Sequence, residues 1–371
     1  MNSTNIHNAA LSVPPYVPRK FERIHLELTN LCNFSCTFCP DGRMTRRRGT
    51  MDLALAKSAL KQIAELDLSE KVTFHVMGEP MMHPRLLEII EYAHARAVPI
   101  GLTTNGALLT PEIIRALAEL DLRQIDVSLQ TPDEESFHAT RGNCVNFNLY
   151  CERVLDLIAA CAARPDPPIF KLRIMVTRFA GNMREALEIP DFIGCEAALH
   201  ETLRQWMRLI YRRLGLRELN PETLQEKIRK LKIWRWNVIE ISPGIFMETY
   251  LLNDWGNTLG GERMIEASFG YCFGMRDHFA ILYNGDVTLC CVDFDGHTAF
   301  GNLEEAPLLE ILNSPSLHRI MKGFHRGKIL HPYCRKCLGS STRLGSLVKP
   351  VATILGFKVL KPFVYRKYKM F

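Results

Sequence analysis

Two hydrophobic periodicities alternate along the first half of the chain. Short apolar runs typical of buried β-strands are separated by segments whose apolar residues recur every three or four positions, as on one face of a helix. The runs predict strands at residues 24–29, 72–77, 99–103, 124–129 and 169–177. The intervening segments predict helices at residues 54–66, 86–97, 111–120 and 150–162. This alternation is typical of a parallel sheet wrapped by helices, so we expect functional residues on the loops that follow the strands.

The alternation is interrupted in the second half of the chain. Residues 195–234 contain two helical segments, which we interpret as an insertion before a strand at residues 237–242. The insertion is either a solvated helical hairpin or a lid over a substrate pocket. Farther on, the turn Asn284-Gly285-Asp286 predicts a β-hairpin, and a helix is predicted at residues 306–322.

Composition and charge narrow the class of protein. The 371 residues are 47% hydrophobic and 23% charged, which is typical of a folded globular chain. No apolar run reaches the roughly 18 residues of a membrane span, and the first twenty residues lack the apolar core of a signal peptide, so we expect a cytoplasmic protein. The 61 residues after Glu310 contain no acidic residue but 13 of the 46 Lys and Arg. No interleaved basic and aromatic face indicates nucleic-acid binding.

Twelve cysteines are the second unusual feature of the composition. In a reducing compartment they are more often metal or cluster ligands, or catalytic groups, than disulfides. Cys32, Cys36 and Cys39 have the spacing C-x3-C-x2-C directly after the first predicted strand. Three thiolates on one loop can hold three irons of a [4Fe–4S] cluster and leave the fourth iron open. Zinc is the alternative, but a structural zinc site needs a fourth ligand that this loop does not supply.

These cysteines, with Phe38 before the third, resemble the C-x3-C-x-aromatic-C motif of the radical S-adenosylmethionine (radical SAM) superfamily. In that family the amino and carboxylate groups of SAM chelate the open iron, and the aromatic residue lies near the adenine. Gly78, Glu79 and Pro80, at the end of the second strand, resemble the last three residues of the family's GGEP motif, which holds the SAM amino group. Met77 replaces the first glycine of that motif.

Three later strand ends are also similar to those of the family. They place Asn105, Ser128 and Arg141 where polar side chains approach the ribose and carboxylate of SAM. The alternative for each of these positions is an ordinary loop or turn.

A second cysteine pattern lies in the C-terminal third of the chain. Cys272 and Cys290 flank Gly285, and Cys334 and Cys337 form a C-x2-C pair. The predicted hairpin can bring Cys272 and Cys290 side by side, and four thiolates close a site, so chemistry alone leaves either zinc or a cluster open. Cys291 adjoins Cys290 and could exchange roles with it.

The second pattern resembles the SPASM/Twitch extension of radical SAM enzymes. No cysteine follows Cys337, so the shorter Twitch form with one auxiliary [4Fe–4S] cluster fits, as in the subgroup that includes 2-deoxy-scyllo-inosamine dehydrogenase. The implied fold is α/β, a partial (β/α)6 TIM-type barrel with a helical insertion and a small C-terminal α+β domain. The predicted divisions are a flexible arm (1–20), the radical SAM core (21–255), the auxiliary cluster domain (256–342) and a basic, apolar tail (343–371).

The resemblance implies two [4Fe–4S] clusters, SAM, and a reducing partner such as flavodoxin or ferredoxin. Reductive cleavage of SAM would give a 5′-deoxyadenosyl radical that removes a substrate hydrogen atom. The predicted outcome is dehydrogenation of a carbohydrate-like or other small metabolite, with the auxiliary cluster as electron acceptor. Epimerisation, peptide modification by a maturase, and a non-catalytic iron–sulfur carrier or partner platform remain as alternatives. No catalytic acid, base or hydrogen donor is assigned.

The tail permits one more hypothesis. Residues 345–371 mix Lys and Arg with large apolar residues, as in segments that lie on anionic membrane surfaces. A solvated tail, or one packed on a domain, is the alternative.

Overall fold

One mixed sheet organises the structure, a computed structural model that describes residues 20–178, 181–216, 221–258 and 264–360. Nearly all of the predicted N-terminal arm and the last eleven residues of the tail therefore lie outside the described residues. Within them the sheet has nine strands in the order β6-β7-β5-β4-β3-β2-β1-β8-β9. The strands are β1 (Arg23–Leu26), β2 (Val72–Phe74), β3 (Ile100–Thr104), β4 (Gln124–Gln130), β5 (Ile169–Val176), β6 (Asn237–Ser242), β7 (Ile245–Leu251), β8 (His278–Ile281) and β9 (Val287–Thr288).

Helices follow most of the parallel strands. They are α1 (Leu53–Glu65), α2 (Leu86–His94), α3 (Pro111–Glu119), α4 (Glu134–Arg141), α5 (Phe147–Ala162), α6 (Gly181–Ala186), α7 (Glu196–Arg213), α8 (Pro221–Arg229), α9 (Leu308–Leu312), α10 (Pro315–His325), α11 (Pro332–Leu338) and α12 (Arg343–Thr353). Capping side chains begin several of them: Thr110 accepts a hydrogen bond from the amide of Ile113, and Asn146 from that of Leu149. None of the described helices is both long and apolar enough to cross a membrane.

Strands β1 to β5 and β7 form six parallel strands, which confirms the predicted partial (β/α)6 barrel. The barrel is open, because β6 and β9 pair antiparallel with β7 and β8 and end the sheet on each side. The hairpin of β8 and β9 joins the barrel sheet directly, since β8 pairs in parallel with β1.

The strand predicted at 237–242 is confirmed as β6, which is an antiparallel edge. Two other points need correction, the first being that the sixth parallel strand is β7, which we did not predict. The two strands are joined by a tight turn in which Gly244 has a φ of 77°, a conformation that favours glycine. The helix predicted at 306–322 is two helices, because Ser314 caps a new helix and Pro315 occupies its first position.

The two sides of the barrel sheet differ in polarity. Strand residues such as Ile24, Leu26 and Phe74 are buried in the main apolar core. Inside the barrel, the ring of His25 lies 6.0 Å from that of His75 and 5.7 Å from that of His278. The interior of the open barrel is therefore polar, and the apolar core lies between the sheet and its helices.

The helical insertion packs on the outside of the barrel. Helix α7 contacts α5 and β6. It buries Leu203 and Trp206, and the indole nitrogen of Trp206 donates to the carbonyl of Pro132 at 3.2 Å. Helix α7 is thus a packed outer-layer helix of the barrel, and it is not a solvated one.

Candidate functional site

The turn after β2 lies directly against the start of the first cysteine loop. Gly78 has a φ of 72°, and a Cβ atom there would lie 2.4 Å from the carbonyl oxygen of Thr29 and 2.6 Å from that of Leu31. The amide of Glu79 donates to the carbonyl of Leu31 at 2.8 Å. Only glycine fits this close approach, so the turn and the cysteine loop are fixed to each other.

Glu79 connects that turn to the end of β3. Its buried carboxylate accepts hydrogen bonds from the amide of Asn105 at 2.6 Å and the amide of Met81 at 3.1 Å. Burial raises the pKa of Glu79 to about 7. The Asn105 side chain donates to Asn33 Oδ1 at 2.9 Å and lies 3.7 Å from Cys32 Sγ. Pro80 follows as the first residue of a short 3₁₀ turn, Pro80–Met82.

The three thiols of the first loop lie within electrostatic range of one another. Burial, opposed by Arg141 and reinforced by the Cys32 thiolate, raises the pKa of Cys36 to about 11. Burial, followed by the charges of Cys36 and Cys32, also raises the pKa of Cys39. The pKa of Cys32 is raised mainly by burial. A partly buried group of three mutually repelling thiolates is a donor set that a positively charged iron cluster would stabilise.

Arg141, at the end of α4, is directed toward this loop. Its Nη2 donates to the carbonyls of Ser128 at 2.7 Å and Leu129 at 2.8 Å, and its positive charge lowers the pKa of the Cys36 thiol against the larger effect of burial. Its Nε and Nη1 are buried and meet no hydrogen-bond acceptor among the described residues, while the guanidinium lies over the rings of Phe34 and Phe137. Guanidinium donors within electrostatic range of Cys36 fit an anionic group such as a carboxylate.

Phe38 and Ser128 have more limited contacts. The Phe38 ring is 9% exposed and packs with Met175 and Ile189, in an apolar cluster that Cys36 and Cys39 border. The predicted contact of Ser128 with a cofactor stays a prediction, since the observed contact is made by its carbonyl to Arg141.

The second cysteine pattern draws its members from three segments. Cys272 precedes β8, Cys290 follows β9, and Cys334 and Cys337 lie on α11. Burial, and then the charge of Cys272, raises the pKa of Cys337 to about 11 and also raises the pKa of Cys334. The pKa of Cys290 is raised well above its usual value by burial, followed by Cys272, Cys291 and Cys337. These effects indicate that the four thiols, with Cys291, lie within electrostatic range of one another.

Backbone clamps hold the second cysteine group together. Asn257 Nδ2 donates to the carbonyls of Lys336, Cys337 and Gly339 at 2.9 to 3.0 Å. The ammonium of Lys349 on α12 donates to the carbonyl of Cys337 at 2.8 Å. The polar groups around this site are thus bonded to the protein's own backbone.

Cys291 adjoins Cys290 but also packs against apolar residues. An apolar cluster, which we call the bridging cluster, consists of Val76, Met77, Ala280, Leu282 and Phe294. Cys39 of the first site and Cys291 both pack against its edge. Cys272 also raises the pKa of Cys291, so Cys291 lies within electrostatic range of the second group as well, and the choice of Cys290 as its fourth member stays a prediction.

Glu27 is a residue that our sequence reasoning missed. Its fully buried carboxylate forms two hydrogen bonds of 2.8 Å with Arg46. It also accepts from the amides of Met77 and Tyr283, each at 3.1 Å. Glu27 thus joins β1, the segment after the first cysteines, the turn after β2 and the β8–β9 hairpin. An acidic residue inside an otherwise apolar predicted strand was the available signal.

The geometry is not that of a single bound ion. Within the described ranges, no three His, Cys, Asp or Glu side chains converge closely enough to hold one metal ion, so the zinc alternative gains no support. A [4Fe–4S] cluster is much larger than one ion, and its thiolates bind separate irons. A surface cleft of about 480 Å3 lies between α1 and residues 303–309, and no predicted site residue lines it.

Two family models match the chain, one at each cysteine group. Residues 26–178 match the radical SAM superfamily. Residues 272–338 match the SPASM iron–sulfur cluster-binding domain. Both matches agree with the resemblances inferred from the motifs.

Individual relatives are similar over part of their length. S-adenosyl-L-methionine-dependent 2-deoxy-scyllo-inosamine dehydrogenase of Niallia circulans is 33% identical over 122 residues, 32% of this chain and 48% of that protein. Mycofactocin maturase MftC of Mycobacterium tuberculosis is 27% identical over 181 residues, 48% of this chain and 42% of that protein. The aligned regions therefore cover less than half of these curated relatives.

A solved structure supports the fold. The crystal structure of Streptococcus suis SuiB superposes with a TM-score of 0.53 at 14% identity, covering 82% of this chain and 68% of that one. At this identity the likeness concerns the fold alone.

Proposed function

Because the chain contains a radical SAM domain followed by a SPASM-type iron–sulfur cluster-binding domain, we propose that it is a radical SAM oxidoreductase acting on a small polar metabolite. We assign Cys32, Cys36 and Cys39 to the SAM-binding [4Fe–4S] cluster. We assign Cys272, Cys290, Cys334 and Cys337 to the auxiliary cluster. The proposed extents of the two domains are 21–255 and 256–342.

The residues around the first cysteine loop would bind and orient SAM. When bound there, SAM supplies a 5′-deoxyadenosyl radical that takes a hydrogen atom from the substrate. The Nε and Nη1 donors of Arg141 suit the SAM carboxylate. The network of Glu79 and Asn105 fixes the polar turn beside Cys32, so the donors of this turn are in place before any ligand arrives.

The convergence of four thiols in the second group carries the proposal of oxidation. A cluster with four protein ligands has no open iron, so electron transfer is the role that it suits best. Dehydrogenation removes two electrons and two protons from the substrate. SAM would account for one hydrogen atom and solvent for the second proton, and a cluster held by Cys272, Cys290, Cys334 and Cys337 would supply the acceptor for the remaining electron.

The polar side chains inside the barrel support the proposal of a polar substrate. Arg173 Nε lies 3.0 Å from a Glu248 carboxylate oxygen. Hydrogen-bonding side chains of both charges suit a hydroxyl-rich or amino-bearing molecule better than an apolar one. The similarity to a dehydrogenase of 2-deoxy-scyllo-inosamine agrees with that class.

The proposal is tested by reconstituting the clusters anaerobically and adding SAM with dithionite or reduced flavodoxin. We expect more than four irons per chain and formation of 5′-deoxyadenosine. The triple variant Cys32→Ala, Cys36→Ala, Cys39→Ala should abolish 5′-deoxyadenosine. Cys195→Ala is the matched control, because Cys195 is exposed and its side chain makes no cap hydrogen bond to α7. Fully loaded protein that leaves SAM intact would point to a non-catalytic iron–sulfur carrier.

Peptide modification is the second candidate function. The similarity to mycofactocin maturase MftC favours it, since that relative is a maturase by name. Candidate small metabolites and peptides deuterated at C–H positions distinguish the two functions. Deuterium in 5′-deoxyadenosine from an aminocyclitol or sugar supports the oxidoreductase, and deuterium from a peptide supports the maturase.

A further inference from the structure

Helix α12 presents its apolar side to solvent. The outer face consists of residues three or four positions apart, or multiples of that spacing, which share one side of a helix. Its members and their exposed fractions are Leu344 (72%), Leu347 (56%), Val348 (56%), Val351 (45%) and Leu355 (53%), the last in the π-helical segment that follows. In a helix that packs through its apolar face these residues would be buried.

The inner face of α12 explains this orientation. Ser346 and Pro350 are buried, and Thr353 Oγ1 accepts from the amide of Tyr271 at 3.1 Å. Lys349 donates to the carbonyls of Cys337 and Gly339 at 2.8 and 3.1 Å. Small and polar side chains therefore attach the helix to the auxiliary cysteine segment. The helix is docked, and its apolar side is exposed because the opposite side makes the contacts.

The charge of the surrounding sequence selects the kind of surface that would cover the outer face. No acidic residue occurs after Glu310, while this stretch holds 13 Lys and Arg. Arg343, the first residue of α12, is exposed. A second copy of the chain docked through this face would place two such basic segments side by side. An apolar stripe in a segment that carries cations and no acidic residue of its own matches the headgroups and acyl boundary of an anionic bilayer.

We infer that the outer face of α12 lies in the interface of an anionic membrane, which turns the auxiliary-cluster side of the protein toward the lipid. The contact is peripheral, and Leu344, Leu347 and Leu355 enter the acyl boundary while the basic residues meet the phosphates. This inference does not depend on the proposed reaction, because it rests on the exposed face and the charge alone.

The test uses the full chain with reconstituted clusters and flotation with vesicles. One set of vesicles contains phosphatidylglycerol and phosphatidylcholine, and the other contains phosphatidylcholine alone. The outer-face variant is Leu344→Ser, Leu347→Ser, Leu355→Ser. The matched control is Leu87→Ser, Leu149→Ser, Leu209→Ser, three leucines elsewhere that are 42%, 54% and 39% exposed.

We expect the wild type and the control variant to float with the anionic vesicles, and the outer-face variant to float at least tenfold less. Equal flotation of the two variants, or no flotation of the wild type, would overturn the inference. So would flotation with phosphatidylcholine alone as strong as with the anionic mixture. Iron content and the visible absorption spectrum should be the same in all three proteins, because the inner face is unchanged.

Two further measurements test whether a second copy of the chain covers the outer face, or whether the tail makes the membrane contact instead of α12. Light scattering after gel filtration would overturn the inference if the wild type is a dimer and the outer-face variant a monomer, since a second copy would then cover the face. Deletion of residues 361–371 should retain part of the binding. If that deletion abolishes flotation while the outer-face variant keeps it, the tail and not α12 makes the contact.

Discussion

The two cysteine groups are assembled in opposite ways. Cys32, Cys36 and Cys39 occupy one short loop after β1, and their spacing alone brings them together. The second group needs the β8–β9 hairpin, helix α11 and the clamp of Asn257 to gather cysteines that lie between residues 272 and 337. The first site is therefore a local structure, and the second exists only when the C-terminal third of the chain is folded.

The polar groups around the two sites differ as well. Near the first loop, two guanidinium donors of Arg141 are buried and meet no acceptor in the described part of the chain. Beside the second group, Asn257 and Lys349 are bonded to backbone carbonyls. An unsatisfied buried donor has a cost unless a ligand meets it, whereas a satisfied one stabilises the protein itself. The first site therefore has buried donors that a ligand can meet, whereas Asn257 and Lys349 at the second site are satisfied by the protein's own backbone.

The largest expected effect is a loss of bound iron, and it distinguishes two adjacent cysteines of the second group. Cys290→Ala should lose about half of the bound iron, because one of two [4Fe–4S] clusters loses a ligand. Cys291→Ala is the matched control and should keep the iron, since Cys291 packs against the bridging cluster. Iron analysis and electron paramagnetic resonance measure the difference. Both variants should still form 5′-deoxyadenosine, and loss of the first cluster in Cys290→Ala would show that the two sites are not independent.

A smaller effect, on thermal stability, is expected at Glu27, which joins the two cysteine sites. Glu27→Gln leaves the buried guanidinium of Arg46 without its counter-charge, a change that costs about 3 kcal/mol or more and lowers the melting temperature by roughly 5 °C. The control Glu88→Gln breaks solvent-screened pairs with Lys57 and Arg85, so a much smaller change in melting temperature is expected. Thermal unfolding followed by circular dichroism compares them. Equal melting temperatures would mean that Glu27 does not tie the two regions together.

The smallest effect is on SAM affinity, and it concerns Arg141 near the first cysteine loop. Arg141→Met removes the donors that face the cysteine loop, so SAM should bind roughly 10 to 100 times more weakly. Arg141→Lys keeps the charge but loses the planar fork, and an intermediate affinity is expected. Equilibrium dialysis of SAM with reconstituted protein measures this. The iron content should not change, and an unchanged SAM affinity in Arg141→Met would refute the role given to this residue.

Local patterns predicted much of the molecule. The first five parallel strands and the four helices between them lie within a few residues of their predicted positions. Spacing indicated both cysteine groups, whose ligand assignments stay predictions. The failures were β7, α4, α6, α11 and α12, which were not predicted, and the helix at 306–322, which is divided at Pro315.

The sequence by itself determined which loops follow the strands and that Cys32, Cys36 and Cys39 share one short loop, because chain connectivity alone holds neighbouring residues close. Only the tertiary structure decided which way each face turns. Helical periodicity does not show which side of α12 faces solvent, and β periodicity did not reveal that the buried Glu27 meets Arg46 and two distant amides. Cys290 and Cys291 are adjacent in sequence, but it is packing that brings Cys291 against the bridging cluster. These orientations depend on contacts between segments far apart in the chain, and no local pattern encodes such contacts.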